Sequence, residues 1–151
     1  MSQLVQDATG NDLTYRIIGA AMAVHNSLGP GYKEEVYERA LAAELNERAI
    51  AAQRQFPVEV SHAGVQVALF YLDLFVEGTV VVEAKAFGHQ LTNDERAQVI
   101  NYLKATGAPV GLLFNFGRRK LEYKRIFPSA ATQGSVQRLG RDNVKKASRA
   151  E

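Results

Sequence analysis

The chain has no cysteine among its 151 residues. Thiolate zinc sites, thiol nucleophiles and disulfide staples are therefore excluded, and the absence suits a reducing compartment. No apolar run approaches the ~18 residues that a membrane span requires. The first residues, MSQLVQDATGND, are polar and carry no apolar h-region of the kind that marks a signal peptide. These absences lead us to expect a cytoplasmic protein with no membrane partner. Internal repeats are also missing, so a single unit is expected rather than a solenoid or array.

What is present fits one domain. A chain of this length buries roughly 70% of the surface that its unfolded form exposes, so it needs no structural metal to fold. The formal net charge is +2, but it is unevenly spread. From Ser129 onward the bases are Arg138, Arg141, Lys145, Lys146 and Arg149, against the acids Asp142 and Glu151. The expected organisation is a body over residues 1–128 followed by a basic, flexible tail over 129–151. Such a tail is compatible with phosphate contacts. It carries no aromatic residue to stack on bases, so a solvated terminus is the plainer reading.

Hydrophobic periodicity predicts a helix from Asn11 to Leu28, with Leu13, Ile17, Ala21, Val24 and Leu28 on one stripe. Gly29-Pro30-Gly31 ends it. A second helix is expected from Lys33 to Arg48, with Glu34, Glu35 and Glu38 at its start, where acids suit the helix dipole. Strands are expected at Gln55–Ser61, Val65–Val76 and Thr79–Phe87, which are rich in β-branched and aromatic residues. A third helix begins near Thr92-Asn93 and ends at Gly107. Two further strands, Pro109–Asn115 and Leu121–Phe127, flank a loop containing Arg118, Arg119 and Lys120. The expected fold is α/β, a mixed central sheet flanked by helices in the order ααβββαββ. The first three strands should be antiparallel, and the third helix permits a parallel return.

One constellation carries chemistry. Glu83 and Lys85 lie two apart in a strand and so share a face. Buried charges are costly unless they are paired or bound to metal. Asp73 lies in the preceding strand. A three-residue loop, Glu77-Gly78-Thr79, would pair Val76 with Val80 and set Asp73 opposite Glu83, with Gly78 supplying a positive φ. Asp73, Glu83 and Lys85 would then lie together on one face. Two carboxylates on neighbouring strands can hold a hard divalent ion such as Mg²⁺, which completes its shell with water and phosphate oxygens. The ion would activate water and polarise phosphorus. Lys85 would orient or deprotonate that water, or steady the developing charge. The competing reading is a structural salt bridge between Lys85 and one of the acids.

Asp73…Glu83-Ala84-Lys85 resembles the signature of the PD-(D/E)XK nuclease superfamily. Gln98-Val99-Ile100-Asn101-Tyr102 resembles the Q-x-x-x-Y element of its RecB-like branch, whose two polar residues share a helical face at i and i+4. Gly31-Tyr32-Lys33-Glu34-Glu35-Val36-Tyr37 is similar to the GxxExxY motif of a small family within that superfamily. VHNSLGPGYKEEVYERAL, LDLFVEGTVVVEAKAF, NYLKATGAPVGLLFNFG and LEYKRI resemble that family's successive blocks, covering roughly Asp12 to Phe127.

The resemblance implies a restriction-endonuclease-like fold and a Mg²⁺-dependent (or Mn²⁺-dependent) nuclease acting on DNA. It implies metal and catalytic roles for Asp73, Glu83 and Lys85, with Glu34 as a further acid at the metal. It implies supporting roles for Tyr37, Gln98 and Tyr102. Arg118, Arg119 and Lys120 are candidates for holding backbone phosphates. A domain this small would need a second copy or a partner protein to cut both strands. The alternative is a non-catalytic nucleic-acid- or protein-binding module with a nuclease-like fold. The weakly charged body favours that alternative, because a self-sufficient DNA binder usually has a stronger basic footprint. His25 reads as a core histidine on the first helix's apolar stripe, and His89 as a solvated loop residue near the cleft.

Overall fold

A computed structural model of the protein describes residues 11–128. The expected tail at 129–151 lies outside the described residues. Helices α1 (Asn11–Leu28) and α2 (Glu34–Glu47) precede three strands, β1 (Ala52–His62), β2 (Val65–Val76) and β3 (Val80–Lys85). Helix α3 (Asn93–Thr106) leads to β4 (Val110–Asn115) and β5 (Glu122–Ile126). The five strands form one sheet in sequential order. All neighbours are antiparallel except β3 and β4, which run parallel because α3 makes the crossover. This is the expected mixed α/β sheet.

Local chemistry explains the element ends. Thr92 and Glu95 form a reciprocal capping box at the start of α3, and Gly107 closes the helix at φ 76°. The β1–β2 hairpin turns on Ala63-Gly64, at φ 52° and 78°, between the paired residues His62 and Val65. Positive φ at both central positions suits the twist of a two-residue hairpin. The β2–β3 hairpin has the expected three-residue loop, with Val76 paired to Val80.

Two strand limits differ from expectation by more than one residue. β1 begins earlier, at Ala52, because Ala52 pairs with Val76 and Glu77 exchanges hydrogen bonds with Ala51 (2.8 Å each way). β3 ends at Lys85, before Ala86 and Phe87. There the Phe87 amide donates to the Asn115 side chain (2.8 Å) instead of to a ladder partner.

The sheet is covered on both faces. Leu13, Ile17, Ala21 and Val24 of α1 and Tyr37, Leu41 and Leu45 of α2 pack against Leu74, Val76, Val80, Val82, Leu112 and Phe114. On the other face, Val99, Tyr102 and Leu103 of α3 pack against Val58, Leu72, Val81, Leu113 and Ile126. β3 is therefore buried on both sides, and its charged residues stand out within it.

Candidate active site

Strands β2 and β3 pair only from Val76↔Val80 to Leu74↔Val82. One step further the ladder gives way to side chains. The Asp73 amide donates to Glu83 Oε2 (3.0 Å), and the Ala84 amide donates to Asp73 Oδ2 (2.9 Å). Each carboxylate thus takes the place of a main-chain acceptor across the fork. The backbone is irregular here: Gln55, between the paired residues Arg54 and Phe56 and facing Asp73 across β1–β2, has φ 52°. Leu72 and Phe75 pack on the α3 face while Leu74 and Val76 pack on the opposite one, so strict alternation breaks at Asp73.

Burial dominates the electrostatics of the pair. Glu83 is only 4% exposed. Loss of hydration raises its pKa to about 8; the Asp73 charge adds to the rise, and the Asp73 amide and Lys85 oppose it. Asp73, half-buried, is raised by burial to about 6 against the pull of the Ala84 amide. Lys85 forms no ion pair with either acid among the described residues and acts on both only through space. The salt-bridge reading of the triad therefore has no contact to rest on. Two buried acids that repel each other, with no cationic side chain bonded to them, form a donor set suited to a hard divalent cation.

Helix α3 brings Gln98 and Tyr102 to the same region. Their side chains are hydrogen-bonded, and the Tyr102 pKa is raised by burial and then by the charges of Glu83 and Asp73. Tyr102 also packs on Phe70 of β2, ring centroids 5.9 Å apart.

The two GxxExxY side chains separate. Tyr37 is fully buried, and its hydroxyl donates to the Gly29 carbonyl (2.5 Å) and accepts from the Tyr32 amide (3.2 Å). Its ring stacks on Phe116 at 4.7 Å. Tyr37 therefore clamps the turn between α1 and α2 and supports the site only indirectly. Glu34 is exposed and reaches Asp73 only as a distant repelling charge. Among the described residues, no group of three or more histidines and acids is arranged to hold a metal ion. The close pair is Asp73 with Glu83, and Glu34 stands apart from it.

The acid that sequence reasoning missed is Glu38. It is 5% exposed, pairs with Arg54 at 2.9 Å and accepts from Gln55 at 3.0 Å. Its charge acts on both Asp73 and Glu83. Glu34 and Glu38 both fall at helical spacing from Leu41 and Leu45, so spacing alone did not single out Glu38. Asn115 was missed as well. It is fully buried, accepts from the amides of Phe87 (2.8 Å) and Gly117 (3.1 Å), and donates to the His89 carbonyl (2.9 Å) and Glu122 (3.2 Å). Because Asn115 pairs with Lys85 in the sheet, this network fixes the end of the strand that carries the lysine.

Arg118, Arg119 and Lys120 are exposed and line a surface cleft of about 720 Å³ with Pro30, Gly88 and Glu122. They follow the end of β4, which lies beside Lys85. Arg118 is held by Glu122 at 3.6 Å, and its carbonyl is 2.8 Å from His25 Nε2. His25 is thus the buried, satisfied histidine that was expected. His89 is exposed and stacks on Phe87 at 4.6 Å.

A family model described as the PD-(D/E)XK nuclease superfamily matches residues 11–126. The chain belongs to this superfamily. Its nucleases generally use divalent metal ions and act on nucleic acid. The crystal structure of SSO0001 resembles the chain with a TM-score of 0.51 at 16% sequence identity, over 76% of this chain and 59% of that one. At that identity the likeness is one of fold, and the chain spans 59% of the length of that protein. Comparison with curated proteins gave no match. No helix among the described residues is long and apolar enough to cross a membrane.

Proposed function

We propose that the protein is a metal-dependent nuclease that hydrolyses phosphodiester bonds of DNA, and that it is a GxxExxY member of its superfamily. The observation that carries this reading is the reciprocal Asp73–Glu83 exchange beside a lysine that is bonded to neither acid. In this reading Asp73 and Glu83 hold Mg²⁺, with Mn²⁺ as a substitute and Glu34 as an outer acid near the metal. The bound ion supplies a water of lowered pKa and offsets charge on the phosphate. The protein's own groups do the remaining work. Lys85 Nζ donates to the attacking water or to a phosphate oxygen. Tyr102 and Gln98 order the substrate-facing wall of α3. Arg118, Arg119 and Lys120 take up backbone phosphates at the same end of the sheet.

The proposed domain runs over residues 1–128, with 129–151 as an added basic segment, in a protein of the cytoplasm. A second reading, a binding module without catalysis, is favoured only by the weak charge of the body. The deciding experiment incubates plasmid, linear and single-stranded DNA with Mg²⁺ or Mn²⁺ and compares wild type with Lys85→Ala. Metal-dependent cutting lost in the variant supports the nuclease. Binding without cutting supports the module. Cutting that survives in Lys85→Ala removes this site from the reaction.

A further inference from the structure

We infer that the substrate strand continues past the catalytic centre along β5 and is held there, as a single strand, in a second cleft built from arginines and tyrosines. This cleft has a volume of about 880 Å³ and is lined by Tyr15, Arg16, Met22, Arg48, Tyr123 and Arg125. Tyr15, Arg16 and Met22 lie along α1, and Arg48 caps the end of α2. Tyr123 and Arg125 pair with Phe114 and Leu112. Those two side chains belong to the core under α1 and α2, so Tyr123 and Arg125 share that face of the sheet.

Charge selects an anion for this cleft. No acid lines it. Arg16 and Arg125 form no ion pair among the described residues, and Arg48 is offset only by Glu44 at 2.8 Å. Arg125 Nε donates to Thr14 Oγ1 (2.9 Å), which anchors its guanidinium beside α1. Arg48 Nη1 lies 3.6 Å from the point that a Cβ on Gly19 would occupy, so its head rests on the same helix. Three guanidinium groups gathered in one cleft raise the local positive potential.

The rings select a single strand. Tyr15 is 74% exposed and Tyr123 is 37% exposed. Arginines interleaved with exposed rings match a strand whose phosphates meet the cations while its bases stack on the rings. A duplex keeps its base faces inside its own stack, so the tyrosines would gain little from it.

Position supplies the path. Arg118, Arg119, Lys120 and Glu122 line the first basic cleft, and Glu122 pairs with Asn115, which pairs with Lys85. Arg125 follows Glu122 along β5 by about 10 Å of strand. Of the thirteen basic residues over 11–128, six line the two clefts, against one of the thirteen acids, Glu122. The low net charge of the body therefore conceals a one-sided basic track of the kind that a nucleic-acid strand follows.

The inference rests on the nucleic-acid reading of the site, and its test is kept apart from cleavage. Fluorescence anisotropy on the full chain, in chelator, follows a labelled oligothymidylate of about 16 nucleotides, the upper end of single-strand site sizes for one small module. Arg16→Ala should weaken binding about 5-fold at about 0.1 M salt and reduce the salt slope by about 0.7, the share of one phosphate contact. Tyr15→Ala should weaken binding about 5-fold or more with the slope unchanged, and Tyr15→Phe should restore it. Lys104→Ala removes an exposed charge from α3 and should bind as wild type. Circular dichroism checks that each variant is folded. Wild-type affinity in both Arg16→Ala and Tyr15→Ala, or equal weakening by Lys104→Ala, overturns the inference. Displacement of the strand by polyglutamate of similar length overturns it too, since the cleft would then be a general anion surface. A duplex of the same length bound as tightly overturns the single-strand assignment. Strand binding that depends on Arg16 and Tyr15 in a protein that never cuts leaves the inference standing and sinks the nuclease reading; cutting with binding indifferent to both residues does the reverse.

Discussion

Asp73 and Glu83 each accept the amide hydrogen that the other strand would otherwise direct at a main-chain carbonyl, at 3.0 Å from Asp73 and 2.9 Å from Ala84. The two acids thereby hold the fork between β2 and β3 open and close to each other. Main-chain pairing at this step would leave both carboxylates without these amide donors.

Lys85→Ala should lower metal-dependent cleavage by about 10²–10³-fold, the usual cost of removing one group that stabilises developing charge. Metal affinity by calorimetry should change little, because Lys85 bonds neither acid. A loss of metal binding equal to the loss of cleavage would show that the lysine serves the metal site and not the reaction.

Asp73→Asn and Glu83→Gln should abolish saturable Mg²⁺ binding. At pH 8 the metal-free variants should melt at or above the wild-type temperature, since each removes a buried charge that repels its neighbour. Wild-type metal affinity in either variant would place the ion elsewhere.

The metal-free protein should lose stability as pH rises. The folded-state values, about 6 for Asp73 and about 8 for Glu83, lie above the ordinary 3.8 and 4.5. Between those limits the folded state binds more protons than the unfolded state, so unfolding free energy falls with increasing pH. Melting temperature measured from pH 5 to pH 8 in chelator should decline, and Mg²⁺ should restore it at pH 8 by binding the folded state. A flat profile in Glu83→Gln would assign the effect to this pair, whereas an unchanged slope would count against it.

Tyr37→Phe should cost about 1–3 kcal/mol, because the Gly29 carbonyl and the Tyr32 amide both lose their partner. Glu34→Gln, at an exposed position, should stay within about 0.5 kcal/mol in urea unfolding. Equal effects of the two substitutions would contradict the separate roles assigned to the motif's two side chains.

Gly117→Ala should destabilise by about 1–3 kcal/mol or more. A Cβ there would lie 2.4 Å from the Phe87 carbonyl oxygen and 2.6 Å from main-chain atoms of Ala86 and Phe87. Main chain cannot move aside as a flexible side chain can, so the end of the lysine-bearing strand would have to shift. Unfolding in denaturant measures the cost directly.

By itself the sequence determined the order of elements and the three-residue hairpin, and it permitted the parallel return through α3. Each is a local consequence of periodicity, capping residues and Gly78, and needs few distant contacts. The same hairpin register brought Asp73 near Glu83, so the centre of the candidate site could be read before any coordinates. Only the tertiary structure decided which acid of α2 is buried. Glu34 and Glu38 sit one turn apart and look alike in sequence, and the difference comes from Arg54 and Gln55 arriving from β1. It likewise decided that Tyr37 clamps a turn and that Asn115 secures the end of β3. These features depend on contacts between residues far apart in the chain, where burial and hydrogen-bond satisfaction follow from packing and no local pattern encodes them.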